Sequence, residues 1–352
     1  MKGLILSGGS GTRLRPITHT SAKQLVPIAN KPILFYGIED MVNAGITDIA
    51  IIVGSTANEV IEAVGDGSAF GAKITYITQG APLGLAHCVY IASDFLGEDN
   101  FVMYLGDNMI ESSLTSFVLD GMAGFDAKLL LKEVEDASQF GVAEIGDDGR
   151  IKTLVEKPAN PKSNLALVGV YMFSKEIHQS IKKIKASPRG ELEITDAIQN
   201  LIDSGSRVAY EILDGWWIDT GKKDPLLECN RLVLDAIERD IYDNPLNSFT
   251  ADGKVKIGKS QIYNSRIIGP VSIADNVIIS DSYIGPYTSI GPDCVVRNSE
   301  IQNSVLLKGS TVTDIARMSD SLVGRSAIVK QSEQKPSALK LMISDYSVVE
   351  VE

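Results

Sequence analysis

Short apolar runs alternate with amphipathic segments along the first two thirds of the chain, up to about residue 240. The runs have the length of buried strands, and the segments between them place apolar residues at helical spacing. This alternation predicts a doubly wound α/β fold around a mainly parallel sheet, with ligands at the carboxyl ends of the strands. The predicted strands are 2–6, 48–53, 73–77, 101–105, 127–134, 142–145, 151–156, 166–173 and 208–212, and the predicted helices are 31–44, 57–65, 84–95, 175–184, 194–203 and 222–240.

The pattern changes after Pro245, where apolar and mostly β-branched residues recur every five or six positions, with Gly, Asn, Ser and Asp between them. This is the hexapeptide signature of a left-handed parallel β-helix, in which each of three faces per coil needs one inward apolar residue. A β-sandwich would show two-residue alternation over longer strands. The predicted inward residues are Ile257, Ile262, Ile268, Ile273, Ile279, Ile284, Ile290, Val296, Ile301, Leu307 and Val312.

The change of period divides the chain of 352 residues into predicted domains. An α/β domain is expected over 1–240 and the β-helix over 241–330. Residues 331–352 break the six-residue period, so we expect them to cap the open end of the solenoid.

Composition and charge exclude several classes of protein. No run of eighteen apolar residues occurs and the chain begins directly with a strand, so we expect no membrane partner, no signal peptide and a cytoplasmic location. A net charge of −12 argues against nucleic acid as a partner. Three scattered cysteines and three histidines without ligand spacing predict neither a disulfide framework nor a zinc site.

The first predicted strand runs into a glycine-rich loop, Ser7-Gly8-Gly9-Ser10-Gly11-Thr12-Arg13-Leu14-Arg15-Pro16. Successive N–H groups in such a turn, followed by a helix start, attract phosphate, and the two arginines add fixed positive charge. Neither the Walker A loop nor the dinucleotide fingerprint fits, because Thr12-Arg13 follows the last glycine and Leu14 stands where another glycine is needed. We predict a different polyphosphate-binding loop, with an ordinary glycine-rich turn as the alternative.

Two aspartates stand where a divalent metal could bind. Asp107 follows the apolar strand 101–105, and Asp219 follows the pair Trp216-Trp217. A carboxylate at the carboxyl end of a buried strand is a suitable ligand for a hard cation. The alternative for each aspartate is a turn or helix N-cap. Together they predict one shared metal site.

Further charged residues lie in loops. Lys23 follows the glycine loop in an apolar context, Ser21-Ala22-Lys23-Gln24-Leu25-Val26-Pro27. Glu156 and Lys157 stand in Val155-Glu156-Lys157-Pro158, and Arg189 in Ser187-Pro188-Arg189-Gly190-Glu191-Leu192-Glu193. A glutamate can hold vicinal sugar hydroxyls, while a lysine and an arginine can hold a second phosphate. Plain surface charge is the alternative for each.

In this order the motifs resemble the sugar-1-phosphate nucleotidylyltransferases, and above all the long-form glucose-1-phosphate thymidylyltransferases with a left-handed β-helix tail. The resemblance covers residues 1 to about 240, and the tail resembles the hexapeptide domain of many members. The motifs that carry it are GGSGTRLRP, SAKQLVP, YLGDN, FGVAE, VEKP, RGELEITD and WWIDTG.

The resemblance implies roles for individual residues. Arg13 would act on the departing pyrophosphate, and Lys23 would bridge the phosphates during transfer. Asp107 and Asp219 would bind Mg²⁺. The implied nucleotide-binding residues are Gly8, Gly9, Gly11, Thr12, Gln79, Gly84 and Asp107, and the implied sugar-phosphate-binding residues are Gly141, Glu156, Lys157, Val168, Gly169 and Arg189.

The implied reaction is in-line attack by a sugar-phosphate oxygen on the α-phosphorus of a nucleoside triphosphate, which needs no covalent intermediate. Gln24 after Lys23 and the RGELEITD run resemble the thymidylyl branch, so dTTP and glucose 1-phosphate are the expected substrates. Gln79 can pair with the imide edge of thymine or uracil alike, which leaves UTP open. Pro82-Leu83-Gly84 departs from short-form relatives, where an aspartate often precedes the glycine.

Three other expectations concern the whole protein. Similar tails in some relatives transfer acyl groups with a histidine base, but no histidine follows His178, so the tail is interpreted as an assembly or regulatory module. A catalytically silent sensor or scaffold is the alternative from another class. We expect a homo-oligomer of unspecified order.

Overall fold

The computed structural model describes residues 1–9, 11–19, 21–122, 124–244, 247–331 and 347–350. Within these ranges the chain forms two compact units. The first contains 1–10, 22–25 and 33–218, and the second contains 11–21, 26–32 and 219–352. The domain limits expected at 240 and 330 stay predictions, and the predicted cap over 331–352 lies almost entirely outside the described residues.

The helices and strands up to residue 235 follow the predicted alternation. The α-helices are α1 (Ile33–Asn43), α2 (Ala57–Val64), α3 (Leu85–Ile91), α4 (Ser93–Leu96), α5 (Leu114–Leu119), α6 (Glu176–Ile181), α7 (Ile194–Asp203) and α8 (Lys223–Asp235). The strands are β1 (Lys2–Ser7), β2 (Pro27–Ile28), β3 (Lys31–Pro32), β4 (Asp48–Val53), β5 (Lys73–Thr78), β6 (Phe101–Leu105), β7 (Asn108–Ile110), β8 (Ala127–Glu133), β9 (Gly141–Ile145), β10 (Ile151–Glu156), β11 (Leu165–Phe173), β12 (Val208–Ile212) and β13 (Trp217–Asp219).

The main sheet of the first unit is mixed. Its strands run in the order β10-β9-β11-β6-β1-β4-β5, and β8 and β12 continue it beside β11. The neighbours β6, β1, β4 and β5 are parallel, whereas β11 pairs antiparallel with β6, β8 and β9. The parallel half therefore places the ends of four strands, and the loops that follow them, at one edge.

Apolar side chains of the central strands alternate between two cores. In β1, Leu4 and Leu6 pack into one core with residues of α3, α6 and α7, while Ile5 packs into the other with residues of α1, α2 and α5. A sheet with a parallel half that is covered by helices on both faces agrees with the doubly wound arrangement that the sequence predicts.

Several local details differ from the predictions. The helix expected from residue 31 begins at Ile33, because Lys31 and Pro32 form β3. The helix expected over 84–95 is divided at Ala92 into α3 and α4, and α8 ends at Asp235, just after its last buried residue, Leu234. The short elements α5, β2, β3, β7 and β13 were not predicted, because each is too short to show a period. The glycine loop leads into a 3-10 helix, Thr12–Leu14, and not into an α-helix.

The second unit contains a parallel β-helix. Val255 pairs with Val271, which pairs with Thr288, so successive coils repeat every sixteen or seventeen residues. The strands are β14 (Asp240–Ile241), β15 (Ser248–Asp252), β16 (Val255–Ile257), β17 (Gln261–Ile268), β18 (Val271–Ile273), β19 (Ile278–Ser280), β20 (Tyr283–Ile284), β21 (Thr288–Ile290), β22 (Val295–Arg297), β23 (Glu300–Ile301), β24 (Val305–Leu306), β25 (Thr311–Thr313), β26 (Leu322–Val323) and β27 (Ile328–Lys330).

Nine of the eleven predicted inward residues lie in the core of the β-helix, and two predictions are wrong by one position. Ile267 and Leu306 occupy the inward places assigned to Ile268 and Leu307. The spacing between inward residues varies at the corners, so counting by five or six slips there. Among the described residues, no helix is both long and apolar enough to cross a bilayer.

Candidate active site

Polar and glycine residues follow each strand of the parallel half of the sheet. Gly8 comes after β1, Gly54 after β4, Gln79 after β5 and Asp107 shortly after β6. A Cβ placed on Gly8 would lie 3.3 Å from Gln79 Oε1 and 3.8 Å from the Gly54 nitrogen. The glycine loop therefore begins beside the end of β5, at the edge where the fold class places ligands.

Lys23 is buried against Asp107. It lies in the 3-10 helix Lys23–Leu25, its side chain is 6% exposed, and its Nζ donates a hydrogen bond to Asp107 Oδ2. Asn108 Nδ2 donates to the other carboxylate oxygen at 2.9 Å. Burial alone would raise the pKa of Asp107, but the charge and hydrogen bond of Lys23, with backbone and Asn108 hydrogen bonds, hold that pKa below its usual value. Lys23 is therefore no solvated surface lysine.

In the second unit, Arg13 approaches Asp219. Gly11 has a left-handed conformation with φ of 61°, and its carbonyl accepts a 2.6 Å hydrogen bond from Thr18 Oγ1. Arg13 Nη2 lies 3.7 Å from Asp219 Oδ2, while Asp219 Oδ1 accepts the Gly221 N–H at 2.9 Å. Asp219 is thus a turn acceptor and not an N-cap, because α8 begins only at Lys223.

The predicted pyrimidine segment is assembled around Gln79. Its Nε2 donates to the Gly84 carbonyl at 3.3 Å and contacts His87 Nδ1 at 3.1 Å. The remaining Gln79 atom, Oε1, faces the glycine loop as a hydrogen-bond acceptor. Burial raises the pKa of the nearby Cys88 thiol to about 12, so that thiol stays protonated.

Three of the predicted sugar-phosphate residues, Glu156, Lys157 and Arg189, are linked through the carboxylate of Glu156. Arg189 Nη2 contacts both carboxylate oxygens of Glu193 at 2.9 Å and lies 3.4 Å from Glu156 Oε1. Thr195 Oγ1 donates to Glu156 Oε2 at 3.3 Å, and Lys157 Nζ lies 3.8 Å from Glu156 Oε1. Burial, and then the charge of Glu193, raise the pKa of Glu156.

The backbone near Glu156 is closely packed. Gly141 pairs with Glu156 across β9 and β10, and a Cβ on Gly141 would lie 2.6 Å from a Leu167 side-chain carbon. The register of β11 against β8 shifts between Leu167 and Tyr171, where Gly169 has a φ of 90°. The Val168 side chain is fully buried in the apolar core.

The residues around the glycine loop suit anionic ligands and a metal. Ser7 Oγ and Gln24 Oε1 are buried polar atoms without a hydrogen-bond partner in the described part of the chain, and a Cβ on Gly9 would lie 3.7 Å from Gln24 Nε2. Asp107 and Asp219 offer carboxylate oxygens, the ligands that Mg²⁺ prefers. The described residues contain no group of three or more histidine, cysteine, aspartate or glutamate side chains that could hold a metal ion.

The structure thus pairs Lys23 with Asp107, Arg13 with Asp219, Gln79 with Gly84, and Glu156 with Arg189 and Lys157. Asp107 and Asp219 belong to different units, so their convergence on one metal stays a prediction. Sequence reasoning did not single out Glu193, Thr195 or His87. The alternation Glu191-Leu192-Glu193 beside Arg189 is the signal that could have identified Glu193.

Known proteins resemble the chain along its whole length. Residues 2–236 match the family described as nucleotidyl transferase. A glucose-1-phosphate thymidylyltransferase from Streptomyces antibioticus is 51% identical, with 100% of both chains covered. A low-salt glycan biosynthesis nucleotidyltransferase from Haloferax volcanii is 44% identical, with 99% of both chains covered.

A solved structure supports the same relationship. The crystal structure of a Bacillus anthracis protein, assigned as a glucose-1-phosphate thymidylyltransferase and in complex with sucrose, has a TM-score of 0.62 and 37% identity, and covers 66% of this chain and 94% of its own. The family match covers residues 2–236, and a relative that matches over its full length is 51% identical. This chain belongs to the nucleotidyl transferase family.

Proposed function

We propose that this chain is a glucose-1-phosphate thymidylyltransferase, which joins glucose 1-phosphate to dTTP and releases dTDP-glucose and pyrophosphate. The observation that carries the proposal is the 51% identity to a thymidylyltransferase of that name over the whole of both chains. The pairing of cations with carboxylates near the glycine loop supports it.

The two substrates are polyanions that repel each other, so the protein must neutralise and align them. Lys23 and Arg13 are the cations placed for this work, and each contacts a carboxylate in the structure described. On binding of the triphosphate, Lys23 turns from Asp107 to the phosphates and Arg13 turns from Asp219 to the departing pyrophosphate. Gly8, Gly9, Gly11 and Thr12 surround the phosphates with backbone N–H groups.

The base is held by Gln79, with Gly84 at the start of α3. Gln79 Oε1 accepts the imide N–H of thymine, because Nε2 is already engaged with Gly84 and His87. Cytosine has no N–H at this ring position, so CTP is disfavoured. Uracil has the same imide edge, and discrimination against UTP depends on other contacts.

Glucose 1-phosphate is held through its hydroxyls and its phosphate. Glu156 accepts from vicinal hydroxyls, and backbone groups of Gly141 and Val168–Gly169 line the same pocket. Arg189 and Lys157 bind the phosphate, and the phosphate oxygen then attacks the α-phosphorus in line, breaking its bond to pyrophosphate.

The family generally needs a divalent metal, and Mg²⁺ is the proposed ion. Asp107 and Asp219 would hold it, and their carboxylate oxygens suit this hard cation. When bound it would neutralise charge on the α-phosphate. The charge and hydrogen bond of Lys23 oppose the effect of burial and hold the pKa of Asp107 below its usual value, so this carboxylate is ionised before a metal binds.

Three broader features complete the proposal. The catalytic domain is 1–240, and the β-helix over 241–330 serves assembly, so the enzyme is a homo-oligomer. The cytoplasm is the compartment where nucleoside triphosphates are available, and the three unpaired cysteines suit its reducing conditions.

Pyrophosphate release, measured with Mg²⁺ over a panel of dTTP, UTP, CTP, GTP and ATP with several sugar 1-phosphates, tests this function. The expected result is the highest kcat/KM with dTTP and glucose 1-phosphate and the lowest pyrimidine rate with CTP. If no pair of substrates yields a nucleotide sugar, the proposal that the protein is an enzyme is refuted. A clear preference for UTP would refute the thymidylyl assignment.

Asp107→Asn separates an enzyme from a silent sensor. The amide oxygen can still accept a hydrogen bond from Lys23, and circular dichroism checks that the variant folds, but turnover should fall by roughly a hundredfold or more. Asp224→Asn, at a side chain that is 87% exposed, is the matched control and should leave turnover unchanged. Equal turnover in the two variants would contradict the role of Asp107.

A further inference from the structure

A short hairpin follows Lys23 in the chain and has a strained tip. Strands β2 and β3 pair antiparallel, and Ala29 and Asn30 between them have φ values of 47° and 67°. Two positive φ values form a tight hairpin turn in which Asn or Gly is the usual residue. In Ala29 the Cβ makes this conformation unfavourable, so the surrounding structure must hold it.

Hydrogen bonds within the second unit hold the tip. The Ala29 N–H donates to Asn230 Oδ1 at 2.9 Å, and Asn30 Nδ2 donates to the Ser272 carbonyl at 3.1 Å and to Ser272 Oγ at 2.9 Å. Asn230 lies on α8, and Ser272 lies on β18 of the β-helix. The hairpin is therefore attached to both elements.

Asn230 is the centre of this network. It is fully buried, its Oδ1 also accepts from Ser289 Oγ at 2.7 Å, and its Nδ2 donates to the Tyr287 carbonyl at 3.1 Å. A buried amide that accepts two hydrogen bonds and donates a third fixes the orientation of its partners. One side chain thus connects the hairpin, α8 and a coil of the β-helix.

On one face of the β-helix, two coils carry serine where the coil before them carries a lysine. Lys256, Ser272 and Ser289 occupy equivalent register positions in three successive coils. Lys256 is exposed, whereas Ser272 is 4% exposed and Ser289 is fully buried. Serine at these positions leaves room for Asn30 and Asn230 and provides their hydrogen-bond partners.

We propose that Asn230, Ser272 and Ser289 are positioning residues for nucleotide transfer, and that the β-helix acts through them to fix the hairpin 27–32. Lys23 lies four residues before the hairpin, so the anchor limits how far the backbone that carries Lys23 can move. The inference rests on the proposed function, and it gives the β-helix a role in each active site that is separate from assembly.

Kinetics of three variants in the full-length protein test the proposal, against Ser282→Ala as matched control. Ser282 is also a buried β-helix serine. Its hydroxyl donates to the Ser280 carbonyl and accepts from the Ser299 N–H, and it lies between β19 and β20 rather than on the strands that carry Ser272 and Ser289. We expect Asn230→Ala to lower kcat/KM for dTTP by about tenfold, and Ser272→Ala and Ser289→Ala by about threefold, through small displacements of reacting groups. Ser282→Ala should lower the melting temperature and leave kcat and KM within about twofold.

Hydrogen exchange supplies a readout that does not need turnover. Peptides covering residues 21–32 should exchange faster in Asn230→Ala and Ser289→Ala than in the wild type. In Ser282→Ala the exchange rates of these peptides should equal those of the wild type. If Asn230→Ala does not fold, the two serine variants carry the test. Wild-type kinetics in the anchor variants, or an equal kinetic loss in Ser282→Ala, would overturn the proposal. An inactive wild type with the predicted exchange pattern would refute the proposed function and leave the anchor standing.

Discussion

At the scale of residues, two glutamates share one arginine and differ in their electrostatics. Glu193 is 4% exposed, contacts Arg189 with both oxygens and accepts from Ser187 Oγ at 2.7 Å. Glu156 has a longer contact with Arg189, and burial and then the charge of Glu193 raise its pKa. Glu193 therefore holds the arginine, while Glu156 is kept available for a ligand that supplies hydroxyl donors.

Glu156→Gln should show this difference in stability. A carboxyl whose pKa is raised by folding binds its proton more tightly in the folded state than in the unfolded state. Its contribution to the unfolding free energy is therefore complete below its ordinary pKa of 4.5 and is lost as pH rises through the raised pKa of the folded state. Relative to wild type, the variant should thus gain stability between pH 4.5 and pH 7.5 in urea denaturation, and its KM for glucose 1-phosphate should rise.

Glu144→Gln is the control of opposite sign. The hydrogen bond from Thr153 lowers the pKa of Glu144, so this carboxylate stabilises the fold above its ordinary pKa, and that stabilisation is lost as pH falls. Relative to wild type, the control variant should lose stability as pH rises through the range below 4.5, and its difference from wild type should stay nearly constant between pH 4.5 and pH 7.5. The same trend in both variants would contradict the assignment for Glu156.

At the scale of elements, the start of α3 is joined to the loop that carries Arg189. The Leu192 N–H donates to the Leu83 carbonyl at 2.7 Å, and the Ala86 N–H donates to the Leu192 carbonyl at 3.0 Å. Gly84 lies between these bonds with a φ of 101°, and a Cβ there would lie 2.4 Å from the Leu192 oxygen. Only glycine allows the two backbone segments to approach so closely.

Gly84→Ala should therefore disturb both predicted binding segments at once. We expect a loss of about 1–3 kcal/mol in unfolding free energy and a higher KM for both dTTP and glucose 1-phosphate. Gly80→Ala is the matched control, since a Cβ on Gly80 would meet nothing within 4 Å. Denaturation and steady-state kinetics measure both effects, and a change in only one KM would contradict the coupling of the segments.

At the scale of the whole molecule, the chain passes between the two units several times. Residues 11–21 and 26–32 belong to the second unit, although the segments before, between and after them belong to the first. The hairpin anchor at Asn230 ties part of this excursion to the β-helix. Unfolding of the β-helix would release segments on which Arg13 and the neighbourhood of Lys23 depend.

Ile279→Ala tests whether the units unfold together. Ile279 is fully buried in the β-helix core, so the truncation should cost about 2–5 kcal/mol. The two tryptophans, Trp216 and Trp217, lie in the first unit and report on it by fluorescence. We expect the fluorescence and circular dichroism midpoints to fall together. Ile328→Ala, at a side chain that is 69% exposed, should leave both midpoints in place, and a fluorescence midpoint unaffected by Ile279→Ala would mean independent unfolding.

The sequence by itself determined the two periods of the chain and nearly all of the long elements. Apolar spacing reports which side of a strand or helix is buried, and this local property predicted β1, β4 and β6 and most inward residues of the β-helix. The motifs named the candidate site residues, whose roles stay predictions. Short elements such as α5 were not predicted, because a helix of six residues makes fewer than two turns and shows no clear period.

Only the tertiary structure decided the partners of these residues. Lys23 and Asp107 are 84 positions apart, and Ala29 and Asn230 are 201 apart, so no local pattern records either contact. Asn230 has ordinary sequence surroundings, and its importance follows from its burial and its hydrogen bonds. Periodicity encodes the direction in which a side chain points. The choice of its partner follows from the packing of the whole chain, because packing brings distant positions together in a region from which water is excluded.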